Sequence, residues 1–264
     1  MQASLRRPDK NGSSRSGIKG DPFSTLQWTS KTTTLLTSKP TLVMVLILHA
    51  HPQSTCGRRV AAVLHEKKVP YELIQPELTE IKTDAWKEKQ PFGQMPYLED
   101  DGLVVFESRA IGRYIATKYA SSGTPLLPSD LTDANAMVLI DQGISIENNN
   151  FNPGAEGLFI EKIASKFHGR EPNEEFIKSY EAKLTTKMDG FELLLSRQKY
   201  IAGDELTLPD LFFLPYGQTV TQLGYDFMTN ETKWPNVARW WKAVSTREAW
   251  LAVKDGIPAA GISA

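Results

Sequence analysis

The spacing of apolar residues changes character at Ser121-Ser122-Gly123-Thr124-Pro125. Before that segment, short apolar runs of strand length alternate with one-faced helical patterns; after it the pattern is helical throughout. Val43 to Leu48 is a continuous apolar run closed by His51-Pro52, which reads as a buried strand. Ser54-Thr55 then offers an N-cap to a helix-forming segment, Val60 to Lys68, whose terminal Lys67-Lys68 suit the negative end of a helix. Val69 to Ile74 is a second strand, ended by Pro76. A strand, a helix and a strand at this spacing make a right-handed parallel unit. Glu77 to Gln90 is polar, with short helical patches around Trp86. Pro96 to Glu99 and Leu103 to Phe106 are strands joined across Asp101-Gly102, a strong hairpin signal. Ser108 is placed to cap a helix over Arg109 to Tyr119, with Ile111, Tyr114 and Ile115 on one face.

Beyond the linker, Leu131 to His168 predicts one or two long helices interrupted near Asn152-Pro153-Gly154, and Glu174 to Leu195 predicts another. Thr207-Leu208-Pro209-Asp210 has the spacing of a capping box, with Leu206 and Leu211 as its hydrophobic staple. Asp210 is therefore a folding residue and not a catalytic one. Pro235 opens a further helix containing Trp240 and Trp241. The expected organisation is an α/β domain over 44–120, a linker over 121–129 and an all-helical domain over 130–264.

Hydrophobic residues make up 41% of the 264 and charged residues 23%, enough for a proper core. A net charge of −1 gives no electrostatic reason to expect nucleic acid or an anionic membrane as a partner. No apolar run approaches the roughly 18–20 residues that span a bilayer. The single cysteine, Cys56, rules out an intramolecular disulfide and fits a reducing, cytoplasmic location. Residues 1–43 stand apart, with seven Lys/Arg against Asp9 and Asp21 and abundant Ser and Thr. Their composition predicts disorder. A transit peptide would share these features, although no amphipathic helix with arginines on one face is present. A third reading is an upstream extension outside the mature protein, since Met44 stands at the first strand.

Four segments, in this order and at these separations, resemble the glutathione transferase family and specifically its phi class: Gln53-Ser54-Thr55-Cys56, Gln90-Pro91-Phe92-Gly93-Gln94-Met95-Pro96, Phe106-Glu107-Ser108-Arg109-Ala110-Ile111, and Tyr200-Ile201-Ala202-Gly203-Asp204 leading into the capping box. Asn150-Phe151-Asn152-Pro153 is similar to fungal phi-type relatives. The likeness extends over nearly all of 44–253. It implies an N-terminal thioredoxin-like domain with a mixed four-stranded sheet, followed by a C-terminal helical bundle.

The resemblance implies an enzyme in which Ser54 donates to the glutathione thiolate, which attacks a hydrophobic electrophile, with peroxide reduction as a second activity. Glutathione enters as co-substrate and no metal is implied. Met95-Pro96 would be a cis-proline turn presenting the Met95 backbone to the cysteinyl part. Glu107 and Ser108 would hold the γ-glutamyl end, and Lys82 with Gln94 the glycyl carboxylate. Where relatives carry a His-Lys pair this chain has Ile81-Lys82, leaving one glycyl contact without its residue. Pro52, Gln53, Asn149 and Phe151 are expected to line the electrophile pocket. Phe92 stands where relatives insert an aromatic residue into the partner subunit of a homodimer. Cys56 reads as a packing residue and His49 and His51 as structural histidines, since no further ligand lies at metal spacing. The alternative function is a non-catalytic carrier of apolar ligands.

Overall fold

A computed structural model describes residues 45–259, so the expectations for residues 1–43 lie outside the described residues. The central strand is β1 (Leu46–His49), with Leu46 and Leu48 buried. It pairs in parallel with β2 (Tyr71–Ile74) on one side and antiparallel with β3 (Tyr97–Asp100) on the other. β3 continues antiparallel into β4 (Leu103–Phe106), so the order is β2-β1-β3-β4. The turn between β3 and β4 holds Asp101 and Gly102 at φ 49° and 81°, the doubly left-handed geometry that Asp-Gly tolerates. This is the expected thioredoxin-like mixed sheet.

Helix α1 (Thr55–Glu66) crosses between β1 and β2, and α3 (Ser108–Lys118) follows β4 and packs beside it. The other face is covered by the Glu80–Lys82 turn and α2 (Asp84–Lys87), whose Trp86 meets Tyr97 edge-on at 4.8 Å. The linker is pinned to the end of α1: the buried Lys67 ammonium donates to the Ala120 and Thr124 carbonyls at 3.2 and 2.9 Å. Gly123 has φ +57°, and a Cβ there would fall 2.1 Å from the Glu66 carbonyl oxygen, so only glycine fits.

The remainder is helical. Helix α4 (Ala134–Ile146) is capped by the Asp133 carboxylate and runs through a π turn at Glu147–Phe151 into α5 (Asn152–Phe159). A second π turn at Ile160–Ala164 leads to α6 (Ser165–Phe167). The expected interruption at Asn152-Pro153-Gly154 is thus not a break. Pro153 has no N–H to donate and its ring would crowd the carbonyl four residues back; widening the preceding turn removes that clash. Helix α7 (Glu174–Leu195) has the expected bounds. Helices α8 (Leu208–Phe212) and α9 (Leu214–Gln222) meet at Phe213, ahead of Pro215. Helices α10 (Pro235–Ser245) and α11 (Glu248–Leu251) complete the set. Among the described residues no helix is long and apolar enough to cross a membrane. One apolar cluster runs from Leu48 and Val63 through Phe212 and Phe213 to Trp240, joining the sheet unit to the helices.

The capping box at α8 forms, and its carboxylate does more than cap. Asp210 is fully buried and accepts from the backbone N–H of Thr207 and Ile201, both at 2.9 Å, and from Trp240 Nε1 at 2.8 Å. Burial pushes its pKa up to about 6, against the opposing pull of those donors. A carboxyl whose folded pKa lies above its unfolded value favours the folded state most when protonated, and that advantage is lost as pH rises through about 6. The stability difference between the wild type and Asp210→Asn should therefore shift by about 1 kcal/mol in favour of the wild type from pH 7 to pH 5. Urea unfolding at the two pH values measures it; a shift of opposite sign would contradict the raised pKa.

Candidate active site

A cavity of about 830 Å³ lies where the first turns of α1 and α3 face the helical half. The chain leaves β1, turns at His51-Pro52-Gln53 and enters α1 through Ser54, whose backbone is extended (φ −61°, ψ 127°). The Ser54 hydroxyl oxygen accepts the Gly57 N–H at 3.0 Å, as an N-cap does. That bond uses a lone pair and leaves the hydroxyl proton available to an anion in the cavity.

At the second helix opening, Glu107 adopts φ 69° and stands as N-cap, while Ser108 is the first helical residue. This corrects the expectation that Ser108 caps α3. The Ser108 hydroxyl instead accepts from Arg59 at 2.9 Å. Arg59 is fully buried and also donates to the Phe212 carbonyl at 3.1 Å, with Cys56 Sγ and Asn152 Oδ1 each at 3.5 Å. Burial, the largest single influence, lowers its pKa, but the Glu147 carboxylate 3.5 Å away together with Cys56 and Tyr216 offsets this and leaves it raised. Glu147 is 0% exposed and takes a two-pronged bond from Arg109, at 2.6 and 3.0 Å. Thus α1, α3 and the π turn are tied together directly behind the cavity.

Lys82 donates to the Gly93 carbonyl at 2.8 Å, and both border the cavity. Gly93 has φ +59°, and a Cβ there would meet the Ile81 carbonyl oxygen at 2.9 Å, so the lysine approaches a backbone only glycine supplies. The Gln94 N–H donates to Gln90 Oε1 at 2.9 Å, and its carbonyl accepts from Trp86 Nε1 at 3.0 Å. The Met95–Pro96 peptide is cis. The Met95 sulfur accepts the His51 N–H at 3.1 Å. Ser54, Lys82, Gln94, Met95, Pro96, Glu107 and Ser108 all border the one cavity, as does Gln53.

Of the four residues expected to line the electrophile pocket, Gln53 borders the cavity and the other three do not. Phe151 is 0% exposed and packs against Phe213 at 5.0 Å; Asn149 is exposed and donates to the Ser145 carbonyl; Pro52 does not border the cavity, and its carbonyl accepts from Ile257. On the helical side the cavity is bordered by Asn148, Asn152, Glu156 and Phe159, joined by Phe167, His168 and Tyr216. Cys56 was expected simply to pack; it is half-buried and borders the cavity. His51 borders it too, whereas His49 is buried and stacked on Tyr97 at 4.1 Å. Phe92 lies apart, 66% exposed and edge-on to Phe106 at 6.2 Å.

With two helix N-termini and a cis-proline turn converging on a cleft against a helical bundle, the comparisons agree on one family. Glutathione S-transferase, N-terminal domain, matches residues 44–117, and Glutathione S-transferase, C-terminal domain, matches residues 158–248. The chain is 41% identical over 200 residues to glutathione S-transferase PM239X14 of Arabidopsis thaliana, covering 74% of this chain and 89% of that one. It is 39% identical over 213 residues to glutathione S-transferase hmp2 of Hypomyces subiculosus, covering 79% and 97%. The crystal structure of glutathione transferase F7 from Populus trichocarpa superposes with a TM-score of 0.74 at 34% identity, over 81% of this chain and all of that one. The chain belongs to the glutathione S-transferase family. Its relatives and structural neighbours are of the phi class.

Proposed function

We propose that the protein is a glutathione transferase in which Ser54 holds the glutathione sulfur as a thiolate for attack on a hydrophobic electrophile. The observation that carries this is the Ser54 hydroxyl at the opening of α1, its lone pair engaged by the Gly57 N–H and its proton free toward the cavity. Unpaired N–H groups of the first helical turn and the positive dipole end favour an anion at the same place. The γ-glutamyl carboxylate lies at the N-terminus of α3 beside Ser108, with Glu107 accepting from the ammonium. Lys82 and Gln94 face the glycyl carboxylate, and the backbone of Met95 pairs with the cysteinyl unit.

A free thiol has a pKa of about 8.5, so the reading requires the bound thiol to titrate lower, by about two units. Ultraviolet thiolate absorbance of the glutathione complex against pH should show this, together with conjugation to a chlorodinitrobenzene electrophile. A bound thiol that titrates like free glutathione, in a protein that still binds an apolar fluorescent probe, would replace this reading by that of a ligand carrier.

The protein is also proposed to act as a homodimer, with Phe92 inserted into the partner subunit. Its support is the exposed ring on the sheet unit, where a phenylalanine serving the subunit's own core would be buried. Sedimentation should show a dimer whose dissociation constant rises at least about tenfold in Phe92→Ala. An unchanged oligomeric state removes this role from Phe92.

A further inference from the structure

The wall of the cavity contributed by the helical half carries a carboxylate that the proposed chemistry does not use. Glu156 on α5 is half-buried at the cavity surface, and among the described residues it has no salt-bridge partner within 4 Å. Two neutral donors hold it in place. Asn152 Nδ2 donates to one oxygen at 2.8 Å, and its amide is oriented by Arg59, which sits 3.5 Å from Oδ1. The Tyr216 hydroxyl lies 3.3 Å from the other oxygen. Burial raises the pKa of Tyr216, so this phenol remains a donor. Its ring lies beneath the Arg59 guanidinium at 5.7 Å, which places the pair next to the first turns of α1. The nearby cations are already engaged, since both Arg59 and Arg109 face Glu147.

A carboxylate has about four acceptor positions, and two donors leave capacity on the cavity side. Aromatic surface surrounds it. Phe159 meets Tyr216 edge-on at 6.0 Å, and Phe167 at the rim is 83% exposed. The helical side of the cavity thus combines aromatic surface with a carboxylate lacking a salt-bridge partner, while the other carboxylate on the cavity, Glu107, stands at the opening of α3. We propose that Glu156 sets the charge preference of the second substrate: aromatic electrophiles with a cationic group or an N–H or O–H donor are accepted, and those with a carboxylate are rejected. The inference rests on the transferase reading for its reaction but not for its binding preference.

Three benzyl chlorides test it on the full chain with glutathione: the unsubstituted compound, its 4-carboxylate and its 4-trimethylammonio derivative. In each the thiolate forms the C–S bond and chloride leaves with the C–Cl electron pair, so rates can be normalised to the uncatalysed reaction with glutathione. The normalised kcat/KM for the ammonium compound should exceed that for the carboxylate by at least about tenfold, and Glu156→Gln should reduce that ratio by a similar factor. Equal rates in the wild type, or a ratio unchanged in Glu156→Gln, would overturn the proposal. If none of the three is turned over, calorimetric binding of 4-methylbenzoate against 4-methylbenzyltrimethylammonium decides the charge preference by itself, and the transferase reading is decided separately by the thiolate titration. Cation-selective binding lost in Glu156→Gln supports it, and equal affinities refute it.

Discussion

Ser54→Ala is expected to lower kcat/KM for glutathione conjugation by about 10²-fold near pH 6–7 while leaving glutathione affinity within a small factor. The hydroxyl is the one side chain at the α1 opening whose oxygen is engaged as a cap while its proton is free. A hydrogen bond to a thiolate is charge-assisted and contributes only in the ionised state, so its loss returns the bound thiol toward about pKa 8.5. The deficit should therefore shrink as pH rises toward 9, because hydroxide then does what the serine did. The same substitution deletes an N-cap, which costs about 1 kcal/mol of stability and is read separately by thermal unfolding. A pH-independent loss that follows the stability change would mean Ser54 is a cap and nothing more. Undiminished activity would move the role along the helix to Thr55, which is buried, or to Cys56, which borders the cavity.

The legible parts of this molecule are those whose physics is local. A continuous apolar run reads as the central strand because β1 lies between two other strands and under helices on both faces. Asp101-Gly102 reads as a hairpin because two left-handed residues in a row are tolerated by few sequences. The glutathione half of the proposed site inherits that legibility, since Ser54, Met95 and Ser108 sit at strand and helix ends set by local signals. The α3 cap was misread because Glu107 takes a positive φ, a strained conformation that no preference for Ser or Thr caps announces. The helical wall of the cavity is less legible for a different reason. No local signal marks the π turn before Pro153, and Asn148, Asn152 and Glu156, spaced four residues apart across it, are the side chains that border the cavity. Least visible was the contact between Arg59 and Glu147, two charged residues far apart in sequence, each of which would ordinarily be assigned to a solvated surface.

That contact carries the largest expected stability effect. Glu147→Gln keeps the size of the side chain but removes the charge facing two guanidinium groups, one fully buried and one with 21% of its side chain exposed. Breaking a buried ion pair from one side costs about 3–5 kcal/mol because the remaining charge stays desolvated. For a folded unit of this size that corresponds to a fall in Tm on the order of 10 °C. Arg109→Met should cost less, since Glu147 would keep Arg59 and the lost group is partly solvated. The two substitutions also separate stability from chemistry. Arg59 holds the Ser108 hydroxyl, so loosening it should raise KM for glutathione through the γ-glutamyl end. The pKa of the bound thiol, which depends on Ser54 and the opening of α1, should stay where it was. A Glu147→Gln protein as stable as the wild type would mean that the Phe212 carbonyl and Asn152 suffice for Arg59, and that the carboxylate orients the two domains' helices without holding them together.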